Sequence, residues 1–204
     1  MRKTLTFVAI AALSAAAQGP VKLGVMASPA LVVPAFDGSG ASSNLGFGGK
    51  AAATVEYGLN DKLCLAANAG YMLATWGYEY DNPYGKTTVD GTSHFVSLDA
   101  GVGYGVMEKL KVFAGLGVDV PLSGEVTVES SMANPLAAFG GPARIDTKAT
   151  SDISDDNTEI LLVAGAGYKL TEKIGVDARY RFALTEYATD FKLSELLVGV
   201  TYAF

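Results

Sequence analysis

Apolar and polar residues alternate along most of this chain, most regularly over 95–106. In that stretch every second residue from Val96 to Val106 is apolar, whereas the residues between them are mainly Gly, Ser and Asp. A period of two residues is typical of a β-strand whose faces meet two different environments. The alternation recurs along the chain and predicts eight strands, each of about 11 residues or more, which suffices to cross a bilayer when tilted.

The first strand, at about 21–33, is the least regular of the eight. Pro29 and Pro34 lie in or beside it, and proline cannot donate a ladder hydrogen bond. We therefore expect the two prolines to limit this strand or to confine it to an irregular upper end.

The connections between the predicted strands are of two kinds. The motif Tyr-x-[Leu/Val]-x-[Asp/Glu]-Lys-[Leu/Ile] ends one alternating stretch, forms a short polar turn and begins the next. Its three copies lie at 57–63, 104–110 and 168–174. Longer polar segments occur only between these hairpins. They form four predicted loops, at about 34–44, 76–93, 122–158 and 185–192. Short turns at one end, long loops at the other and an even strand number are typical of a transmembrane β-barrel.

The two faces of the strands indicate which side meets lipid. The faces opposite the apolar residues are rich in glycine. Seven such positions are Gly101, Gly103, Gly105, Gly115, Gly117, Gly165 and Gly167. A water-soluble barrel would expose them, although glycine costs about 0.5–1 kcal/mol relative to alanine inside a strand. In a membrane barrel they line a narrow lumen. We therefore predict an all-β fold, a closed eight-stranded antiparallel up-and-down transmembrane barrel.

The N-terminus has the pattern of a removable export signal. Arg2 and Lys3 precede an apolar stretch at 5–13, and Ala15–Ala17 offers a small-residue cleavage site. We predict a signal peptide at 1–17, exported by a Sec-type route, and a barrel domain at 18–204. Without Arg2 and Lys3, the 15 basic residues fall to 13 against 21 acidic ones, a net charge of −8. Such an acidic chain disfavours nucleic acid as a partner.

The ends of the outward faces carry aromatic residues, as membrane interfaces favour. The predicted aromatic girdle consists of Tyr57, Tyr104, Tyr168 and Tyr202. The last strand ends Val198-x-Val-x-Tyr202-x-Phe204, which resembles the C-terminal signature of bacterial outer-membrane barrels. With the hairpin motif, it makes residues 18–204 similar to the outer membrane protein A-like and X-like eight-stranded barrels. The resemblance implies the bacterial cell outer membrane as location, its lipid as partner and Phe204 as a signal for the barrel-assembly machinery. No peptidoglycan-binding domain follows, so we expect no wall anchoring.

The inward faces hold charges of both signs, which a narrow lumen would force into ion pairs and hydrogen-bonded networks. This predicted charge network consists of Lys50, Glu56, Asp99, Lys111, Asp119, Glu159, Lys169, Asp177, Arg179, Arg181 and Glu195. Counting back from the last loop puts Arg181 near Glu195. A conducting or gated pore is the alternative, because a charged lining also sets ion selectivity.

Other candidate chemistry is weaker. His94 is the only histidine, and Ser93 and Ser97 should point to the opposite face, so the geometry is poor for a Ser–His catalytic pair. Acidic residues in and after the third loop could hold Ca²⁺, but they do not match a calcium-loop pattern. They are Asp146, Asp152, Asp155, Asp156 and Glu159. Aromatic residues of the second loop predict an upper girdle or a binding surface. They are Trp76, Tyr78, Tyr80 and Tyr84.

We thus expect a non-enzymatic barrel with no cofactor and no metal. Its expected role is structural or in surface interaction, such as envelope integrity or adhesion, with host or surface ligands meeting its four extracellular loops. That role depends on analogy with the resembling families. A narrow porin-like channel for small solutes is the alternative.

Overall fold

A computed structural model describes residues 21–36, 41–82, 85–134, 144–152, 157–187 and 191–204. These residues form ten strands. They are β1 (Val21–Phe36), β2 (Ala41–Asn44), β3 (Gly46–Gly58), β4 (Leu63–Asn82), β5 (Gly85–Gly105), β6 (Leu110–Ala133), β7 (Arg144–Asp152), β8 (Glu159–Lys169), β9 (Ile174–Ala183) and β10 (Phe191–Ala203). Among the described residues, none forms an apolar helix of membrane-spanning length. The predicted signal peptide, 1–17, lies outside the described residues.

Eight of the strands close into a ring. Each pairs in an antiparallel sense with two neighbours, in the order β1, β3, β4, β5, β6, β8, β9, β10 and back to β1. Closure leaves no unpaired strand edge within the ring, as a bilayer core requires. The predicted closed eight-stranded antiparallel barrel is confirmed.

The orientation of the side chains follows the predicted alternation. On β5, Ser97 and Asp99 point inward and are 0% and 3% exposed, whereas Leu98 on the opposite face is 45% exposed. The same pattern continues on β10, where Leu197 is buried and Val198 is 55% exposed. A contiguous apolar outer surface of this size needs lipid rather than water around it.

Short turns connect the strands at one end, and the hairpin motif explains two of them. Asn60 Oδ1 accepts hydrogen bonds from the backbone N–H groups of Lys62 and Leu63, both at 2.9 Å. Thr171 Oγ1 accepts equivalent bonds from Lys173 and Ile174, at 3.3 and 3.0 Å. The residue before the acidic position therefore closes the turn with its side chain.

The prediction of long loops at the other end is wrong for much of their length. The strand β4 continues to Asn82, β5 begins at Gly85, and β6 runs to Ala133 and pairs with β7. Together with β2, these parts form a sheet above the barrel, here called the extended sheet. It comprises residues 41–44, 76–82, 85–92, 124–133 and 144–152. A register shift between His94 and Phe95 separates it from the barrel on β5.

The two prolines do not shorten the first strand as expected. The strand β1 extends through Pro29 and Pro34 to Phe36, and its pairing with β3 is continuous past Pro29. In its pairing with β10, Ala27 and Ala30 are paired but the two residues between them are not. Because proline has no backbone donor, the ladder with β10 is interrupted locally, whereas the ladder with β3 is continuous and holds the strand in place.

Candidate functional site

Arg181 stands at the centre of the barrel lumen and is fully buried. Its Nη1 and Nη2 donate to Asp119 Oδ2 and Oδ1 at 2.8 and 2.7 Å. Nη1 also donates to Glu195 Oε2 at 2.5 Å, and Nε donates to Asp99 Oδ1 at 3.1 Å. Nη2 further donates to Ser97 Oγ at 3.0 Å. One guanidinium thus joins strands β5, β6, β9 and β10 across the lumen.

Lys50 completes this cluster, here called the charge layer, from β3. Its Nζ lies 2.7 Å from Asp99 Oδ2, and its side chain is 0% exposed. The charge layer therefore consists of Lys50, Ser97, Asp99, Asp119, Arg181 and Glu195. Such a pair network fills the lumen cross-section, and removing one partner leaves an uncompensated buried charge.

A glycine makes room for the charge layer. A Cβ at Gly117 would lie 2.7 Å from Asp99 Oδ1 and 3.1 Å from Arg181 Nη2. The register places Gly117 opposite Asp99 on the neighbouring strand. Any side chain at 117 would therefore displace the guanidinium or the carboxylate.

Four other predicted lumen charges form two ion pairs outside the charge layer. Lys111 pairs with Glu56 at 2.5 Å, and Arg179 Nε donates to Asp177 Oδ2 at 3.0 Å. The Arg179 guanidinium also stacks on Phe113, 5.3 Å from its ring centroid.

Two further predicted charges stand apart from these pairs. Glu159 is buried near the charge layer, where its Oε1 accepts a bond from the Leu193 backbone at 3.2 Å. Lys169 is exposed at the short-turn end. The eleven predicted residues therefore do not form one network.

Above the charge layer, toward the extended sheet, four rings fill the lumen. This aromatic plug consists of Trp76, Phe95, Tyr187 and Phe191. Tyr187 follows β9 and is 1% exposed, so its side chain projects into the barrel. Ser93 Oγ lies 2.7 Å from the Tyr187 hydroxyl and accepts a bond from Trp76 Nε1 at 3.0 Å. Both polar ring atoms are thereby satisfied inside the plug.

The aromatic plug corrects the interpretation of the second loop. Trp76 is 8% exposed and belongs to the lumen, neither to a girdle nor to an open binding surface. Tyr78 packs against Phe191 at a centroid distance of 6.3 Å, and Tyr80 is 41% exposed. Tyr84 lies outside the described residues. A signal for the plug exists in the sequence, because Met72, Ala74 and Trp76 continue the inward phase of Asn68.

Below the charge layer the lumen is polar. Ser28 Oγ, Asn68 Oδ1 and Asp177 Oδ1 are buried without a hydrogen-bond partner among the described residues. Buried polar atoms of this kind are normally satisfied by water. The lumen therefore combines a polar lower half with an upper half closed by charges and rings.

The predicted aromatic girdle residues occupy the outward face. Tyr57, Tyr104, Tyr168 and Tyr202 are 41–46% exposed near the short-turn end, and Phe204 on the same face is 75% exposed. Lys173 Nζ lies 5.9 Å from the centroid of the Tyr202 ring.

His94 and the acidic candidates are dispersed. His94 Nδ1 is hydrogen-bonded to the Tyr71 hydroxyl on the outward face, whereas Ser93 and Ser97 are buried in the lumen. Asp146 and Asp152 lie on the exposed strand β7, and Glu159 is buried. Asp155 and Asp156 lie outside the described residues. No group of carboxylates, histidines and cysteines suited to a metal occurs in the described part of the chain.

The extended sheet is acidic. Its residues include seven carboxylates against three basic side chains, Lys86, Arg144 and Lys148. Lys86 pairs with Glu79 and Lys148 with Glu129, each at 2.7 Å. The hydrogen bond that each lysine donates to its partner carboxylate raises the pKa of that lysine above the ordinary value. The sheet thus carries an excess of negative charge after its internal pairs are formed.

The comparisons with known proteins agree with this geometry. A family model, the outer membrane protein beta-barrel domain, matches residues 4–204. The chain belongs to this family. It is therefore an outer-membrane β-barrel, and barrels of this kind have short periplasmic turns and longer extracellular connections. A search of the curated proteins found no match.

Solved structures share the fold at low identity. The attachment invasion locus protein Ail of Yersinia pestis, in complex with the heparin analogue sucrose octasulfate, is 17% identical with a TM-score of 0.50, covering 90% of this chain and 99% of that one. Neisserial surface protein A is 20% identical with a TM-score of 0.41, covering 89% and 97%. The outer membrane protease OmpT of Escherichia coli is 9% identical with a TM-score of 0.41, covering 90% and 96%.

Proposed function

We propose that this chain is a non-enzymatic outer-membrane barrel that acts through its extended sheet, in envelope structure and surface interaction. The observation that carries the proposal is the closed lumen. Two consecutive obstacles, the charge layer and the aromatic plug, fill the barrel between the periplasmic half and the extended sheet. A barrel closed in this way is a rigid support, and its solvent-exposed strands are the part available to partners.

The surroundings of His94 support a role without catalysis. A nucleophilic serine needs a base within hydrogen-bonding distance. The histidine ring bonds Tyr71, while Ser93 is engaged by Trp76 and Tyr187 inside the lumen. This geometry supplies neither an activated serine nor a free base.

The charge of the extended sheet indicates the kind of partner. Seven carboxylates against three cations attract positively charged surfaces and repel polyanions. We infer that this chain, unlike Ail with its bound sulfated sugar, binds basic protein or peptide surfaces. Adhesion to host or surface ligands is the corresponding biological role.

Assembly and export belong to the same proposal. We infer that residues 1–17 direct Sec-type export and that the barrel-assembly machinery reads Phe204, which is exposed on the outward face.

Recordings in planar lipid bilayers test the closed lumen. The purified full-length protein should give no stable conductance steps, while an established porin in the same bilayer gives the positive signal. Stable, ion-selective steps from the wild-type protein would contradict the proposal.

One observation favours the competing function of a narrow solute channel. The polar lower half, with the orphaned oxygens of Ser28, Asn68 and Asp177, has a lining suited to water and small polar solutes. The same recordings discriminate the two functions, because a channel must conduct in the wild-type state.

A further inference from the structure

A cavity of about 290 Å³ lies at the periplasmic end, lined by residues of β1, β3, β4, β6, β8, β9 and β10. Its lining has two chemical halves. The first half consists of inward-phase residues of the lumen mouth, including Lys22 and Lys169. The second consists of outward residues of the lipid-facing surface, including Tyr168, Ile174 and Tyr202. The cavity therefore connects the aqueous mouth of the barrel with its membrane surface.

The charge of this cavity is opposite to that of the whole chain. Five basic and three acidic side chains line it, whereas the complete sequence has a net charge of −6. Two of the basic residues are already engaged deeper in the lumen, Lys111 by Glu56 and Arg179 by Asp177.

The remaining cations are Lys22, Lys169 and Lys173, all of them exposed. No carboxylate lies within salt-bridge distance of these three lysines in the part of the chain that the structure describes. Outside the two deeper ion pairs, the lining carboxylates are the side chain of Glu172 and the terminal carboxylate of Phe204, so three lysines against two carboxylates leave the rim with a surplus of positive charge.

Lys173 joins the two halves of the cavity. Its Nζ lies 5.9 Å from the centroid of the Tyr202 ring, which is a girdle residue on the outward face. An ammonium group above a girdle tyrosine lies at the depth where phospholipid phosphates are found. Basic residues at such an interface attract anionic lipids.

We propose that this cavity binds the headgroup of an anionic phospholipid from the periplasmic leaflet. The phosphate lies among Lys22, Lys169 and Lys173, and the acyl chains run along Tyr168, Ile174 and Tyr202. Phosphate is the shared chemistry of a lipid headgroup and a free anion, but the apolar half of the lining favours the lipid. The proposal does not depend on whether the lumen conducts.

Native mass spectrometry of the protein released from nanodiscs containing equal amounts of phosphatidylglycerol and phosphatidylcholine tests the site. The wild-type protein should retain phosphatidylglycerol in preference to phosphatidylcholine. The triple variant K22Q/K169Q/K173Q should lose this preference by about tenfold or more, because each basic side chain at a membrane surface contributes roughly fivefold. Heat-modifiable migration on gels verifies that each variant is folded.

A matched variant controls for total charge. K86Q/K148Q/K192Q removes three lysines from the opposite side of the membrane and should retain the wild-type preference. An equal loss in both variants, or an unchanged preference in the periplasmic one, would overturn the proposal. Inorganic phosphate at matched ionic strength should not displace the lipid. Complete displacement by phosphate would show a site for free anions and would also overturn the lipid assignment.

Discussion

Arg181 is the residue on which the closed state of the lumen depends most. Three carboxylates, those of Asp99, Asp119 and Glu195, accept hydrogen bonds from its one guanidinium. A planar group with five donors suits this arrangement, whereas a lysine could not bond the same set bidentately. Without the guanidinium, the same carboxylates would repel one another in a confined space.

We predict that Arg181→Met destabilises the barrel strongly. Removing one partner of a buried ion pair costs about 3–5 kcal/mol, since the remaining charges lose their compensation. Urea unfolding of the reconstituted protein, followed by tryptophan fluorescence, measures the change. Arg179→Met is the matched control, because Arg179 is partly exposed and bonds one carboxylate, and its effect should be clearly smaller. Equal effects of the two changes would contradict the central role of Arg181.

A second prediction at this scale concerns glycine. Gly117→Ala should destabilise the protein by about 1–3 kcal/mol, because the added methyl group would overlap Asp99 and Arg181 in a filled lumen. Gly167→Ala is the control, since its Cβ would meet the nearest atoms at ordinary distances of 3.7 and 3.8 Å. The same unfolding assay compares them, and a Gly117→Ala protein as stable as Gly167→Ala would refute the steric argument.

At the scale of elements, the difference between barrel and extended sheet explains what the sequence could predict. Strands between lipid and lumen alternate strictly, so their number, phase and closure follow from periodicity. Most side chains of the extended sheet are exposed or half-buried, and only a few, such as Val89, Val126 and Val128, belong to or pack against the buried cluster around the aromatic plug. The strands β4 and β6 therefore lose the apolar period above Trp76 and Val120, although backbone pairing continues. Polar composition there resembles that of a loop, so the sequence predicts loops at 76–93 and 122–158.

The contacts inside the lumen were predictable only in part. Alternation identifies which charges face inward, and counting along one hairpin brings Arg181 to Glu195. Partners across the barrel depend on the stagger of all eight strands, which periodicity does not set. Lys111, for example, reaches Glu56 past two intervening strands. The burial of Tyr187 had no periodic signal, because this residue belongs to a connection.

The barrel should also fold without most of the extended sheet. In the ring, the pairing of β6 with β8 ends at Asp119 and Glu159, so the described residues 125–133 and 144–152 take no part in the backbone pairing of the ring. We predict that replacing 125–152 by a short Asn-Gly turn leaves a folded, heat-modifiable barrel. Gel migration and proteolysis of intact liposomes measure the outcome. Failure of this variant to fold, while the full chain folds in parallel, would show that the extended sheet is part of the barrel's stability.

At the scale of the whole molecule, charge is distributed unequally between the two sides of the membrane. The extended sheet is acidic, whereas the periplasmic rim has unpaired lysines. Fixed surface charge of this kind selects partners by sign and acts through their rate of association.

The negative charge of the extended sheet predicts that the protein does not bind sucrose octasulfate at physiological ionic strength. Isothermal titration calorimetry of the detergent-solubilised protein provides the measurement. The variant D90K/E125K/D152K reverses three charges around one side of the extended sheet and should acquire binding that weakens as salt is added. Tight binding by the wild-type protein would contradict the inferred preference for basic partners.

The continuation of β4 and β5 past the register shift also sets how far these strands extend beyond the barrel. From His94 up to Gly85 the strand adds nine residues, and at about 3.3 Å per residue this is roughly 30 Å along the strand. The ends of β4 and β5 at Asn82 and Gly85 therefore stand away from the barrel wall, whereas His94 lies at its upper edge. A peptide tag inserted between Asn82 and Gly85 would thus be accessible to antibodies on living cells, whereas the same tag beside His94 would be shielded.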